Sequence, residues 1–282
     1  QPTTLSLDAL RTQGNALLDS PQALDYRKAI TQTPFIQHLV QAQLPLQWVP
    51  ARLVSDDPAK AQGKARKRPL IGAQIRHALG DPKQSLDVVS PYFVPTKEGV
   101  AALAELRAQG VQLRVLTNSV QATDVLLVHA GYAKYRKSLL RHGVQLYELR
   151  QIAPDDAPES DKQKFSYLSL GSSGSSLHAK TMSVDGQRVF VGSFNLDPRS
   201  AALNTEMGIV VESPALAQQM EQAFATQIPA MSYRLDLDAQ GHIRWHSGVG
   251  NPPPVYTQEP DMGLLRRLLL WLVGVLPVEW LL

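Results

Sequence analysis

The constraint that most limits the fold lies between residues 70 and 149, where apolar runs alternate between two periods with short punctuated gaps. Leu70, Ile71, Ile75 and Leu79 recur at helical spacing and stop at Gly80, and 85–90 (SLDVVS) reads as a buried strand. Thr96 is a plausible N-cap for the helical segment VAALAELRAQ, which Gly110 closes before 111–117 (VQLRVLT) alternates as a strand. A second helix over 124–142 ends at Gly143, and 144–149 is a third strand. Strand, helix, strand, helix, strand with connections this short calls for right-handed crossovers. The expected fold class is therefore α/β, with a mixed, mainly parallel sheet covered by helices on both faces.

Composition removes several kinds of chemistry. Of 282 residues, 44% are hydrophobic and 19% charged, the balance of a folded chain rather than a disordered one. There is no Cys, so disulfides, thiolate metal sites and cysteine nucleophiles are excluded. Lys and Arg number 28 against 25 Asp and Glu, and a net charge of +3 gives no case for a nucleic-acid partner without a local cluster. The start at Gln1 lacks the basic head and apolar core of a signal peptide, and the longest charge-free apolar run covers only 268–278. Spanning a bilayer takes about 20 residues, so no transmembrane helix is expected.

Outside the alternating region three segments read differently. Residues 1–65 carry Pro2, Pro21, Pro34, Pro45, Pro50 and Pro58, which predicts a wandering arm or linker with one or two short helices. Residues 66–250 form the main lobe, interrupted at 153–176 by a Pro-, Asp- and Ser-rich stretch ending in GSSGSS, expected to be a surface loop. Residues 251–282 form a tail whose end, LLRRLLLWLVGVLPVEWLL, is apolar at 14 of 19 positions with Arg266, Arg267, Trp271 and Trp280. That pattern suits a helix lying in a lipid interface as well as one docked on the protein's own core. Lys60, Lys64, Arg66, Lys67 and Arg68 make a cation cluster that suits anionic lipid headgroups better than nucleic acid, because no aromatic residues interleave it.

The most informative text is LHAKTMSV (177–184) and QRVFVGS (187–193), joined by Asp185-Gly186. Asp-Gly is a strong two-residue hairpin signal. With that turn Lys180 faces Val191 and His178 faces Ser193, so His178, Lys180, Ser193 and Asn195 share one side of the hairpin. An imidazole, an ammonium, a hydroxyl and a carboxamide together suit a tetrahedral anion such as phosphate, and Gly192 leaves the backbone open to close approach. No second His stands at metal-ligand spacing, so no metal or cofactor is expected, and the imidazole reads as nucleophile or general acid.

The pattern His178-x-Lys180-x4-Asp185-x6-Gly192-Ser193-x-Asn195 resembles the HKD signature of the phospholipase D superfamily. SPYFVPT (90–96), LTNS (116–119), VHAGYAKYRKSLL (128–140), FNLDPRS (194–200) and NTEMG (204–208) extend the resemblance to bacterial cardiolipin synthases of the C type. The resemblance implies a phospholipase D-like fold and phosphatidyl transfer through a phosphohistidine, with His178 attacking phosphorus. Lys180, Ser193 and Asn195 would grip the oxygens, Glu206 would orient the imidazole, and Asp185 would be a turn residue away from the chemistry. It also points to His129 and Tyr132, on one helical stripe with Tyr135, as residues of the acceptor side of the pocket, although their spacing fits a packing stripe equally well; Tyr92, just past the strand at 85–90, stands where α/β sheets bind ligands, beyond a strand's carboxyl end.

Enzymes of this superfamily pair two signatures, whereas this sequence holds one. The expected partners are accordingly a second HKD lobe, either an upstream half of one polypeptide or a second copy, together with a phospholipid surface carrying phosphatidylglycerol or phosphatidylethanolamine at the cytoplasmic face of a bacterial inner membrane. A homodimeric phosphodiesterase or nuclease, and an incomplete half that binds phosphate or membrane without turnover, are the alternatives.

Overall fold

The computed structural model describes residues 6–32, 34–44, 46–63, 69–151, 177–260 and 262–263. The chain divides into two units, 1–48 and 49–282. In the first, helices α1 (Leu7–Leu18), α2 (Pro21–Gln32) and α3 (Pro34–Val40) follow one another. None of its described residues is buried, and Leu7, Tyr26 and Val40 stand exposed. The arm is thus more helical than the prolines implied: Pro21 and Pro34 open helices, where a missing N–H costs nothing.

The second unit is built on one ten-stranded sheet. Its elements are β1 (Ala51–Ser55), α4 (Ile71–Leu79), β2 (Ser85–Val89), α5 (Thr96–Ala108), β3 (Gln112–Asn118), α6 (Leu126–Ala133), α7 (Arg136–Arg141) and β4 (Gln145–Leu149), then β5 (Thr181–Val184) and β6 (Arg188–Gly192). After these come α8 (Pro198–Ala202), β7 (Met207–Glu212), α9 (Pro214–Gln222), α10 (Ile228–Met231), β8 (Ser232–Leu237), β9 (Ile243–Ser247) and β10 (Val255–Tyr256). The strand order is β1-β7-β6-β5-β2-β3-β4-β8-β9-β10.

The sheet is mixed and covered on both faces, as an α/β reading requires, yet it is not mainly parallel. Among the described strands only β2 with β3 and β3 with β4 run parallel, and every other strand pair is antiparallel. The two helical crossovers generate the parallel centre; beyond it β5 with β6 and β8 with β9 are joined by tight turns, which only antiparallel neighbours permit.

Alternation along the central strands sorts two cores. Val88, Val115 and Leu146 point to the side of Ile71, Ile75 and Leu79 from α4, while Val89, Leu116 and Tyr147 point to Phe224, Ile228 and Met231. Both faces are apolar, so these strands read as continuous hydrophobic runs. Gly110 and Gly143 end α5 and α7 at φ 89° and 79°, a backbone region that costs a side-chain-bearing residue dearly.

The expected domain limits shift at both ends. β1 and the buried Asp56 and Lys60 belong to the sheet unit, because β1 supplies its edge beside β7, so the arm does not extend to 65. Lys60 is withdrawn from the expected cation cluster into an ion pair with Asp56 at 2.6 Å, and the other four cations lie outside the described residues. At the far end β10 and Glu259 are integrated into the same unit, so the lobe does not stop at 250. The loop 153–176 and the tail from 264 lie entirely outside the described residues. Among the described residues no helix is long and apolar enough to cross a membrane.

The predicted helix over 124–142 is two helices, broken at Lys134–Tyr135. Their buried face carries a polar knot. Arg136 bonds Glu148 at 2.7 Å and Glu259 at 2.6 and 2.9 Å, His129 reaches Glu259 at 2.6 Å, and Trp245 donates to Glu148 at 3.1 Å. His129 and Tyr132 are 2% and 1% exposed, with Tyr132 between the rings of Phe93 and His129. Both were expected to line the substrate side of a pocket; they are enclosed core residues, because each ring fills the space between α6 and the sheet.

Candidate active site

The hairpin that carries the signature has a bulge that the Asp-Gly rule does not foresee. Asp185 and Gly186 take φ of 53° and 63°, and Gln187 donates its N–H back to the Val184 carbonyl, as the two-residue turn demands. The ladder nevertheless pairs Val184 with Arg188, leaving Gln187 as an extra residue whose carbonyl accepts from Ser213. The register is one residue away from the expected one: Thr181, not Lys180, stands opposite Val191. A slip of one exchanges the faces of a strand, so the shared-face argument for His178, Lys180, Ser193 and Asn195 does not hold.

These residues are gathered instead by strand ends. Residues 178–180 precede β5, 193–195 follow β6, Glu206 precedes β7, and Tyr92 and Asp124 lie just past the carboxyl ends of β2 and β3. Ligand sites of open α/β sheets form at such carboxyl ends. The Ser193 hydroxyl donates to Glu206, and its oxygen accepts from the Met207 N–H at 3.1 Å. The other Glu206 oxygen accepts from Ser200 Oγ at 3.0 Å, and Asp197 caps α8 by accepting from the Ser200 N–H at 2.7 Å.

Lys180 is half-buried and folds its ammonium onto the His178 carbonyl at 2.8 Å. Burial pulls that ammonium below its ordinary value, against the opposing charges of Glu206, Asp124 and Asp197, all three of which it feels. His178 is exposed, and no described hydrogen bond involves its imidazole. The Glu206 carboxylate was expected to hold that ring; its described bonds are to the Ser193 and Ser200 hydroxyls. Asn195 is 7% exposed, and its Oδ1 is buried without a hydrogen-bond partner.

Gly192 and Asp185 serve the scaffold. A Cβ on Gly192 would come within 2.7 Å of Gly208 Cα and of the Phe190 ring, so the glycine admits β7 and Phe190 rather than a substrate oxygen. Asp185 accepts from the N–H groups of Lys83, Gln84 and Ser85 at 2.7 to 3.0 Å. Burial opposes the charge of that carboxylate, but these donors hold its pKa below the usual value.

Tyr92 donates to both oxygens of Asp124, at 2.9 and 3.0 Å. Burial first, and then Asp124, push the Tyr92 hydroxyl up to about 12. Sequence reasoning missed Asp56, Asp124, Asp197 and Ser200, and assigned Lys60 to a surface cluster. The Asp197-Pro198 pair, a cap followed by proline at the first helical turn, was a readable signal for α8; nothing local marks Asp56, whose partners are distant in sequence. Among the described residues no group of three or more His, Asp or Glu stands in metal-holding geometry.

Beside the signature a cleft of about 450 Å³ opens between the sheet and α9, its wall including Val89, Ala179, Thr181, Val191, Met220 and Ile228. Leu53, Ile209, Val191 and Thr181 form one cross-strand row on that face, with Leu53, Ile209 and Val191 exposed.

Comparison with known proteins gives a consistent picture. The family described as "Cardiolipin synthase, PLD-like domain" matches residues 75–228. Cardiolipin synthase C of Escherichia coli strain K12 is 45% identical over 257 residues, which is 91% of this chain and 53% of that protein. A protein of Helicobacter pylori strain J99 described as uncharacterized is 30% identical over 229 residues, covering 81% of this chain and 40% of its own length. Phosphatidylserine synthase of Haemophilus influenzae Rd KW20 superposes at 14% identity with a TM-score of 0.46, over 85% of this chain and 49% of that one. The chain spans about half, or less, of the curated relatives it matches.

Proposed function

We propose, from the premise that this chain belongs to the cardiolipin synthase family of phospholipase D-like domains, that it carries one half of a phosphatidyl-transfer site that makes cardiolipin. In the first step an imidazole nitrogen of His178 bonds to the phosphorus of a phosphatidylglycerol or phosphatidylethanolamine headgroup. The phosphorus–oxygen bond to the alcohol breaks, and the alcohol leaves with a proton delivered by the second lobe. In the second step the hydroxyl of phosphatidylglycerol attacks the phosphohistidine, returns its proton to the group of the second lobe that had protonated the leaving alcohol, and frees the ring. Lys180, Ser193 and Asn195 hold the non-bridging oxygens as charge gathers on them, and Glu206 fixes the hydroxyl of Ser193.

The observation that supports this reading is the meeting of three strand ends, where the half-buried Lys180 ammonium feels Glu206, the partner of Ser193, and bonds the backbone carbonyl of the exposed His178. The exposed row Leu53, Val191 and Ile209 on the same sheet supports a covering second lobe, since an apolar strip of this kind is normally buried. The neighbouring apolar cleft supports a lipid substrate, and peripheral attachment at the cytoplasmic face of a bacterial inner membrane follows from the same reading.

The test uses the full-length enzyme. Replacement of His178 by Ala abolishes cardiolipin formation, and the wild-type protein quenched with labelled lipid carries an acid-labile, base-stable phosphate adduct at His178. Normal cardiolipin output from the variant overturns the reading.

A further inference from the structure

Tyr92 and Asp124 lie outside the HKD signature, yet hydrogen bonds lock them to it. Ser90 Oγ accepts from the N–H of Leu196 at 3.3 Å and donates to the Tyr92 carbonyl at 2.7 Å; the Val94 N–H donates to the Leu196 carbonyl at 2.7 Å. Leu196 follows Asn195 directly, so the bonds on either side of Tyr92 fasten it beside the signature loop. Lys180 and Tyr92 both feel the charges of Asp124 and Asp197, which places the phenol and the ammonium in one electrostatic neighbourhood.

The chemistry of the pair is one-sided. The phenol has a single proton and spends it on the two carboxylate oxygens of Asp124. What remains facing outward is acceptors only: lone pairs of the phenolic oxygen and of an exposed carboxylate. Such a surface repels a phosphoryl group and attracts O–H or N–H donors. The neighbouring Lys180 does the reverse.

We infer that Tyr92 and Asp124 form a subsite for the alcohol part of the substrate headgroup, which they recognise through its hydrogen-bond donors while Lys180 and Asn195 take the phosphoryl group. The ligand class is a small alcohol phosphate bearing hydroxyl or ammonium donors. The inference rests on the proposed function, because it assumes that a phosphoryl group occupies the signature. It adds a discriminating element: an alcohol without donors leaves the two acceptors facing nothing, and a built acceptor site penalises a ligand that cannot satisfy it.

Binding tests this without turnover. The chain is titrated by calorimetry with inorganic phosphate, propyl phosphate, glycerol 1-phosphate and phosphoethanolamine. Glycerol 1-phosphate, phosphoethanolamine or both bind about tenfold tighter than propyl phosphate, the size of one hydrogen bond to a charged group. Which of the two gains identifies a hydroxyl or an ammonium as the recognised donor. The ratio to propyl phosphate falls toward one in Asp124→Asn and in Tyr92→Phe, with inorganic phosphate binding reporting an intact site in each variant. Equal binding of all three organic phosphates, or a ratio that survives both substitutions, overturns the subsite alone. Failure of the wild-type chain to bind any phosphate, inorganic included, overturns the proposed function and the subsite together.

Discussion

Asp56 and Glu206 grip each other's backbones. The N–H of Asp56 donates to the carbonyl of Glu206 at 2.8 Å, and the N–H of Glu206 donates to Asp56 Oδ2 at 3.1 Å. Lys60 closes the unit, donating to Asp56 at 2.6 Å and to the Ser200 carbonyl at 2.8 Å. Because Ser200 in turn holds the Glu206 side chain, a buried ion pair from the segment after β1 sets where that carboxylate points.

Removing either partner strands a buried charge. Lys60→Met is expected to cost about 3–5 kcal/mol in urea unfolding. Asp56→Ala costs more, because Asp56 also accepts from the N–H groups of Ile71 and Glu206. The double variant loses clearly less than the sum of the two, since no lone charge remains. Strict additivity would show that the pair is not coupled.

Gly192 is packed closely against β7 and the Phe190 ring. Gly192→Ala is expected to lower stability by about 1–3 kcal/mol or more through overpacking against β7, read as a drop in the thermal midpoint. Phe190→Leu in the same chain relieves only part of it, because Gly208 Cα belongs to the backbone and cannot withdraw.

Lys180 carries a cost in stability. Its folded-state pKa lies below the ordinary value of 10.5, so in the window just beneath 10.5 the unfolded chain binds more protons and stability rises with pH. At neutral pH the buried charge is therefore a cost. Lys180→Met is expected to raise the thermal midpoint by about 1–3 °C while weakening phosphate binding about tenfold or more. A lowered midpoint would show that its carboxylate neighbours outweigh burial.

Acid should act on the polar knot behind the site. Burial alone would raise the pKa of Glu259, but Arg136 and His129 draw it far below the ordinary value of 4.5. A depressed carboxylate contributes stability that is complete above its unfolded value and is lost as pH falls through the folded one. Unfolding free energy of the wild type therefore declines below about pH 4.5, and Glu259→Gln shows a shallower acid limb together with a loss of about 1–3 kcal/mol at pH 7, because Arg136 keeps Glu148 but loses its second carboxylate. Parallel pH curves for the two proteins would exclude this origin.

Much of the layout was legible in the sequence, for identifiable reasons. The central elements were readable because Val88, Val115 and Leu146 alternate with residues buried on the opposite face, and because Gly80, Gly110 and Gly143 stop helices by a strictly local mechanism. Strand direction away from the centre was not, since whether β5 joins β2 parallel or antiparallel depends on chain routing through 150–180. The face assignment failed on one residue, Gln187, whose bulge is stabilised by Ser213 from another element. His129 and Tyr132 were misread because helical spacing gives the same stripe whether it faces a pocket or a core. Lys60 looked like part of a surface cluster, as its acceptors lie at Asp56 and, 140 positions away, at Ser200.

The 150-residue separation between Asp56 and Glu206 bears on how the protein comes into being. A pairing of such span closes late, after the loop entropy between its ends has been overcome, so the end of the sheet that carries residues 178–180 and 206 is among the last regions to take shape. A nascent chain lacking β7 would hold residues 178 and 180 without Glu206, and the proposed site would stay incomplete until synthesis has passed residue 206.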